Sequence, residues 1–198
     1  MTRIILASGS AHRQALLRNA GIAFEAIASD FDERALEAPL ARSGANGEDI
    51  AQVLAEAKAS DVSQRHADAL VIGADQTLTL GSERLHKPAG MEEARRQLLA
   101  LSGRTHRLAS AVVLAHNGAP LWRHVETADI TFRALTPPQI GRYLARAGAD
   151  ALTSVGCYQI EGPGLQLMER VEGDFFTIVG LPMLPLIREL RAQGALDD

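Results

Sequence analysis

The sequence predicts an α/β fold with a mixed β-sheet flanked by helices. Short apolar runs typical of strands alternate with segments whose apolar residues recur at helical spacing, and this order is typical of α/β proteins. The pair Asn117-Gly118 separates two β-like runs, 108–116 and 122–132, and Asn-Gly is a strong signal for a hairpin turn. Because a hairpin joins antiparallel strands, we expect a mixed sheet rather than a purely parallel one.

The first half of the chain contains strand signals, helix signals and one expected loop. Asn46 is suited to be a helix N-cap because Glu48 and Asp49 follow it in the first turn. The expected elements are a strand at 3–7, a helix ending before Gly21, a β-like run at 22–28, a loop rich in Ala, Pro and Gly after the polar segment 29–34, a helix after Asn46 with a buried stripe of Ile50, Val53, Leu54 and Ala57, and strands at 70–74 and 77–80.

The second half continues the alternation. Thr136 and Gln139 match a capping box, with prolines at the first helical positions. The expected elements are a loop at 86–88, a helix from Met91 to Leu101 stopped by Gly103, the hairpin, a helix after Thr136 ending before Gly148, short strands at 165–170 and 176–179, and a last helix from Pro182 carrying Leu184, Ile187 and Leu190.

Composition limits the possible classes of protein. A chain of 198 residues with 46% hydrophobic and 22% charged residues suits one large domain or two closely packed lobes. A net charge of −4 argues against a nucleic-acid binder, which needs a basic surface. No apolar run approaches the roughly 20 residues that span a bilayer. A single cysteine and the lack of a signal-peptide pattern make the cytoplasm the expected compartment.

The segment from Ser8 to Arg13 is a candidate anion site. It places two hydroxyls, a glycine and an arginine where free backbone N–H groups open a helix. The alternative is that Ser10 only caps the helix and Arg13 lies in solvent. The G-x-x-x-x-G-K-[ST] pattern of a P-loop is absent, which argues against a Walker-type ATPase or kinase.

Acidic residues provide a candidate metal site. Asp75 directly follows an apolar strand, where an unpaired carboxylate is costly unless it faces a cleft, a metal or a cation. Asp30, Asp32 and Glu33 form an acidic cluster that can share a divalent ion with Asp75, and hard oxygen ligands favour Mg²⁺ or Mn²⁺. The alternatives are a turn cap for Asp75 and a solvated charged loop for the cluster.

Two lysines, Lys58 and Lys87, are candidates to hold phosphates as point charges, although a surface lysine explains each one equally well. Cys157 is expected to be a packing residue. The six histidines show no HExxH motif or paired metal spacing, so zinc-dependent hydrolysis has no support.

The chain resembles the Maf family of nucleoside triphosphate pyrophosphatases along nearly its whole length. The segment Leu6-Ala7-Ser8-Gly9-Ser10-Ala11-His12-Arg13-Gln14-Ala15-Leu16-Leu17 is similar to the family signature L-A-S-x-S-P-x-R-x-x-L-L. Further matches are Asp32-Glu33, Glu56-Ala57-Lys58-Ala59, Gly73-Ala74-Asp75-Gln76, Lys87-Pro88, Leu101-Ser102-Gly103, Ile160-Glu161-Gly162 and Val179-Gly180-Leu181-Pro182. The chain departs from the signature at Ala11, which replaces a proline, and at His12.

The resemblance implies two lobes around a central cleft, a homodimer, and hydrolysis of the α–β phosphate bond of a nucleoside triphosphate. It implies that Ser8, Ser10 and Arg13 face the triphosphate and that Lys58 and Lys87 neutralise it. It also implies that Glu33 and Asp75 are acidic site residues that would hold Mg²⁺ or Mn²⁺, with Asp75 as the catalytic proton acceptor.

The family's branches differ at positions occupied here by His12, Gln76 and Glu161, where the base is expected to be read. Gln76 with Glu161 resembles the branch acting on 7-methylguanosine triphosphate, whereas the branch acting on thymidine and uridine triphosphates carries threonine and glutamine there. A carboxylate at Glu161 can accept both N–H donors of a guanine pairing edge. The resemblance implies hydrolysis of non-standard nucleotides as house-cleaning, with a dTTP/UTP pyrophosphatase as the alternative.

Two other classes of function remain open at this point. A nucleotide-sensing regulator of septum formation and cell division would need binding without turnover. A nucleotidyl- or glycosyl-transferase would also use carboxylates and a metal, but the sequence shows no acceptor-site motif.

Overall fold

The computed structural model describes residues 2–197, the side chains of Arg34, Ala38 and Ala41 excepted. Within this range a seven-stranded sheet has the order β2-β1-β3-β5-β6-β7, with β4 paired to β3. The strands are β1 Arg3–Leu6, β2 Glu25–Ala26, β3 Ala69–Leu80, β4 Glu83–Leu85, β5 Thr105–His116, β6 Ala119–Phe132 and β7 Met168–Glu172. Strand β1 runs parallel to β2 and β3, whereas β4 and β7 pair antiparallel with their neighbours, so the prediction of a mixed sheet is confirmed.

Seven α-helices accompany the strands within the described residues. They are α1 Ala11–Asn19, α2 Glu33–Arg42, α3 Gly47–Arg65, α4 Met91–Leu101, α5 Pro137–Ala147, α6 Phe175–Val179 and α7 Met183–Ala192. Two 3₁₀ turns occur at Gly148–Leu152 and Pro163–Leu167. No helix in residues 2–197 is long and apolar enough to cross a membrane.

The chain divides into two compact units. The first contains the described parts of Met1–Gln76, Ser110–Glu126 and Gly180–Asp198, and the second contains Thr77–Ala109 and Thr127–Val179. In the first unit, alanines of α3 pack on Ala111 and Val113 of β5. In the second unit, the hydrophobic core includes Phe132 of β6 and residues of α4 and α5. The expectation that two lobes pack closely around a cleft stays a prediction.

Capping signals predicted the starts of two helices correctly. The Asn46 side chain accepts from the Asp49 backbone N–H at 2.8 Å and the Asp49 carboxylate accepts in return, which closes a capping box at the start of α3. Thr136 and Gln139 form the same motif at the start of α5. The hairpin turn is also as predicted, since Asn117 and Gly118 both have positive φ, 49° and 77°, as a type I′ turn requires.

The prediction of a loop after residue 34 is wrong, because this segment forms α2. Its N-terminus is capped by Asp32, whose Oδ1 accepts from the Ala35 N–H at 3.1 Å. Alanine and leucine are strong helix formers, and the helix ends before Gly44. Pro39 lies inside α2 and does not end the helix, although proline usually disfavours a helix interior.

Two expected strands also differ from the structure. The strand signal at 22–28 reduces to the two residues of β2, and the apolar run at 176–179 belongs to α6. Asp174 explains the helix, because its Oδ1 accepts from the backbone N–H of Phe176 at 2.8 Å and of Thr177 at 3.1 Å. A short apolar run is compatible with either a strand or a helix, and here the capping side chain of Asp174 favours the helix.

The buried faces of two helices are shifted from the expected stripes. In α3, Ile50 and Leu54 are buried as expected, while Val53 and Ala57 are only half-buried. In α7, Leu190 is buried but Leu184 is 64% exposed. Met183 and Leu186 are buried instead of Leu184 and Ile187, so the packed face of the first two turns lies one residue earlier than predicted.

A glycine allows α3 to lie close to β3. A β-carbon built on Gly73 would be 2.2 Å from the Ala55 carbonyl oxygen and 2.7 Å from Ala59 Cβ, so no larger residue fits. Asp75 follows two residues later and therefore faces the same side of the strand. Lys58 lies beside Ala59 on the helix. The close approach at Gly73 thus brings the Lys58 side chain to Asp75.

Candidate active site

The centre of the site is a buried ion pair within the first unit. Lys58 Nζ donates to Asp75 Oδ1 at 2.7 Å, and the two side chains are only 10% and 11% exposed. The same Nζ lies 3.0 Å from Glu33 Oε1, whose side chain is 51% exposed. One ammonium therefore bridges two carboxylates that come from α2 and β3.

Asp75 lies inside β3, and the expectation that a strand ends at this residue is wrong. The strand continues to Leu80, and Lys58 supplies the counter-charge that an ionised carboxylate needs in this buried position. Burial raises the pKa of Asp75 above its usual range, while the charges of Lys58 and Arg13 oppose that rise. A buried carboxyl with a raised pKa is typical of a proton-transfer group.

Arg13 ties three segments of the first unit together. Its Nε donates to the Gly180 carbonyl at 2.8 Å, and its Nη1 donates to the Ala74 carbonyl at 2.9 Å and to Ser8 Oγ at 3.3 Å. The alternative that Arg13 lies in solvent is therefore wrong. Burial lowers the pKa of Arg13, opposed by the charges of Asp75 and Glu33. The guanidinium nonetheless stays charged, as arginine does in proteins.

The serines of the opening segment have different surroundings. Ser10 is the N-cap of α1, and its hydroxyl accepts from the Arg13 backbone N–H at 3.4 Å. Ser8 is buried, and its hydroxyl also accepts from the Ser10 backbone N–H at 3.2 Å. The capping role expected as an alternative for Ser10 is present, and its proposed contact with phosphate stays a prediction.

Sequence reasoning missed the backbone carbonyls that hold Arg13. Gly180 has φ 111°, a conformation that residues with a β-carbon rarely adopt, and its carbonyl accepts the Arg13 Nε. The motif that contains this glycine was recognised, but no role followed from it. Gly180, which precedes the last helix, indicates unusual backbone geometry, but nothing in the sequence indicates that its carbonyl binds Arg13.

Gln76 follows Asp75 and faces a different neighbour. Its Nε2 donates to Ser110 Oγ at 2.9 Å, and Ser110 lies on β5. His12 is half-buried on α1. Both residues belong to the first unit with Arg13 and Lys58, so this unit contains two of the three positions at which the base is expected to be read.

The remaining predicted site residues, Lys87 and Glu161, belong to the second unit and are exposed within it. Lys87 follows β4, and Glu161 precedes the second 3₁₀ turn. Their predicted roles in neutralising the triphosphate and in reading the base stay predictions.

Two members of the acidic cluster take part in other contacts. Asp30 Oδ2 lies 3.3 Å from Arg65 Nη1 at an exposed position, and Asp32 caps α2. Within the described residues no group of three or more His, Cys, Asp or Glu side chains is placed to hold a metal ion. Glu33 and Asp75 remain as a pair of oxygen donors, a number that suits Mg²⁺ when substrate phosphates and water complete its shell.

Comparison with known proteins identifies the family of this chain. The family described as "Maf-like protein" matches residues 3–193. A "7-methyl-GTP pyrophosphatase" of Mesorhizobium japonicum is 64% identical over 98% of each chain. A "Nucleoside triphosphate pyrophosphatase" of Caulobacter vibrioides is 47% identical over 99% of this chain and 98% of the other. A solved HAM1 protein from Coxiella burnetii is a remote match, with a TM-score of 0.38 and 20% identity over 66% of this chain and 73% of that one. The family match spans nearly the whole sequence, and the chain therefore belongs to the Maf-like proteins.

Proposed function

We propose that this protein is a nucleoside triphosphate pyrophosphatase whose preferred substrate is 7-methyl-GTP or a similarly modified nucleotide. The observation that carries the proposal is the bridge from Lys58 to Asp75 and Glu33, with the Arg13 guanidinium anchored at the neighbouring Ala74 carbonyl. Two relatives at 64% and 47% identity carry names of this activity, which supports the same conclusion.

The proposed reaction is the attack of water on the α-phosphorus. The bond from the water oxygen to phosphorus forms, the bond from phosphorus to the α–β bridging oxygen breaks, and pyrophosphate leaves. Asp75 accepts the proton of the attacking water through Oδ2, which has no hydrogen bond to any residue that the structure describes. Because burial raises the pKa of Asp75, this carboxylate is a stronger base than an exposed aspartate.

The cationic side chains stabilise the charge that develops on the phosphate oxygens. Phosphoryl transfer depends mainly on positioning and electrostatic stabilisation. Arg13 uses Nε and Nη1 to hold the protein backbone, while Nη2 makes no hydrogen bond within the described residues and is proposed to contact phosphate. Lys58 is proposed to turn from the carboxylates to the substrate, and Lys87 with Ser8 and Ser10 completes the proposed phosphate contacts.

A divalent cation is part of the proposal, with Mg²⁺ or Mn²⁺ held by Glu33 and Asp75. When bound, such an ion supplies positive charge for the triphosphate and lowers the pKa of a coordinated water. The two carboxylates fit this role because both offer hard oxygen donors at one position, shown by their shared contact with Lys58 Nζ.

The base is proposed to be read by His12, Gln76 and Glu161. A glutamate suits guanine because it accepts from the N–H groups of the pairing edge, and the same carboxylate would face the carbonyl oxygens that flank the N–H of thymine. The name of the Mesorhizobium relative supports the choice of 7-methyl-GTP over dTTP or UTP. We also propose that the protein works in the cytoplasm as a homodimer, without a nucleic-acid partner.

A product assay tests the proposal. The purified protein is incubated with Mg²⁺ and 7-methyl-GTP, GTP, dTTP or UTP, and pyrophosphate and nucleoside monophosphate are quantified with and without a chelator. We expect both products in equal amounts, fastest from 7-methyl-GTP and lost with the chelator. Nucleotide binding without any product would instead support a sensing regulator, and release of orthophosphate with a diphosphate would place the cleavage at another bond.

A further inference from the structure

A buried hydroxyl lies in an otherwise apolar part of β5. Ser110 is the one polar residue in the run 108–115, and it is 0% exposed. A buried hydroxyl is unfavourable unless it makes a hydrogen bond, so this position indicates a specific partner. One partner is the side-chain amide of Gln76, whose Nε2 donates to Ser110 Oγ at 2.9 Å.

The other end of the same amide lies close to the proposed phosphate-binding arginine. A β-carbon built on Gly180 would be 3.5 Å from Gln76 Oε1 and 3.6 Å from Arg13 Nε. Gln76 Oε1 and Arg13 Nε therefore border the same small space above Gly180. Ser110 holds the amide from the β5 side, and the amide oxygen is directed towards the neighbourhood of Arg13.

We propose that Ser110 is a positioning residue for nucleotide selection, because its hydroxyl bonds the Gln76 amide nitrogen while the nearby positive charge of Arg13 favours the amide oxygen at the other end. This inference rests on the proposed function and deepens it. An amide presents a donor at one end and an acceptor at the other, so rotation by half a turn exchanges them. Bases differ in the order of donors and acceptors on their edges, and a fixed amide discriminates between them better than a rotating one.

A second buried serine shows what a purely structural hydroxyl does in the same unit. Ser63 on α3 is also 0% exposed, and its hydroxyl accepts from the Gly118 backbone N–H at 3.0 Å, which attaches the hairpin turn to the helix. Ser110 differs because its partner is a side chain next to the site. Ser63 therefore provides a matched control for the loss of one buried, hydrogen-bonded hydroxyl.

The experiment compares kcat/KM for 7-methyl-GTP, GTP and UTP in the wild type, Ser110→Ala, Ser63→Ala, Gln76→Ala and the double variant Ser110→Ala/Gln76→Ala. We expect Ser110→Ala to lower the preference for 7-methyl-GTP over UTP by roughly five- to tenfold, the scale of one hydrogen bond. Ser63→Ala should keep the wild-type preference. In the Gln76→Ala background, the change at Ser110 should have no further effect on the preference.

Several results would overturn the inference. An unchanged preference in folded Ser110→Ala would do so, as would an equal loss of activity on all three nucleotides or a full effect in the Gln76→Ala background. If the wild type releases pyrophosphate from none of the nucleotides, the proposed function itself fails, which the wild-type assay alone reveals. Should Ser110→Ala not fold, Ser110→Cys replaces the hydroxyl by a slightly larger thiol that is a weaker acceptor, and it gives the same comparison.

Discussion

Replacing Lys58 by methionine removes the positive charge between two carboxylates while keeping a side chain of similar length. Glu33 is half exposed and can be solvated, but Asp75 is 11% exposed and loses its nearest counter-charge. Removing one partner of a buried ion pair costs about 3–5 kcal/mol, since the remaining charge stays buried. Because Arg13 still attracts Asp75, we expect the lower end, about 3 kcal/mol at pH 8.

The size of this loss should depend on pH in a defined direction. Burial raises the pKa of Asp75 above 3.8 in the folded protein, and removing Lys58 raises that pKa further. A carboxyl whose pKa is higher in the folded state than in the unfolded state binds more protons when folded, so stability falls as pH rises through that window. The penalty of Lys58→Met should therefore shrink as pH is lowered, by at most about 1.4 kcal/mol per pH unit for one proton.

Urea unfolding at pH 8 and pH 5 measures both effects, and a thermal scan at pH 8 should show a Tm lower by roughly 6–12 °C. Arg65→Met is the matched control, because Arg65 lies on the same helix and also contacts two carboxylates, Asp30 and Asp61, with 43% of its side chain exposed. This control should lose about 0–1 kcal/mol. Equal losses in the two variants, or a Lys58→Met penalty that grows on acidification, would show that Lys58 is not the counter-charge of a buried, ionised Asp75.

Three further predictions concern the site. In Arg13→Lys, the lysine lacks the planar fork with which arginine donates to both the Gly180 and the Ala74 carbonyls. We therefore expect kcat/KM for pyrophosphate release to fall by roughly tenfold or more. A value within twofold of wild type would contradict the anchoring role. In Gly180→Ala, the new β-carbon would lie 3.5 Å from Gln76 Oε1 and 3.6 Å from Arg13 Nε, which are ordinary contact distances, but the residue must adopt φ 111°. Urea unfolding should therefore show a loss of about 1–3 kcal/mol, and unchanged stability would argue against strain. Glu161→Gln should weaken the preference for guanine nucleotides in a kcat/KM panel, and an unaltered ranking would count against base reading by Glu161.

The sequence predicted most of the fold where local signals are strong. Asn46, Thr136 and the Asn117-Gly118 pair each specify a geometry through their own side chains or backbone, and the structure confirms all three. Local signals failed at α2, where Pro39 suggested a loop. They also failed at α6, where an apolar run suggested a strand but the segment is a helix capped by Asp174.

The sequence named candidate site residues but not the contacts between them. The family resemblance selected Arg13, Lys58 and Asp75, and the family is confirmed by the match over residues 3–193. The ion pair of Lys58 with Asp75 depends on the close approach of α3 to β3 at Gly73, a tertiary effect that no local pattern shows. Gly180 as the acceptor for Arg13 is a contact between residues 167 positions apart, and sequence spacing gives no signal for it.

The proposed role of Asp75 is to accept the proton of the water that attacks the α-phosphorus. The most direct measurement is the pyrophosphate release from 7-methyl-GTP by Asp75→Asn, a variant of nearly identical shape, beside the wild type and with folding checked by circular dichroism. We expect turnover to fall by a factor on the order of 10² or more in the folded variant. Turnover equal to that of the wild type would contradict this role.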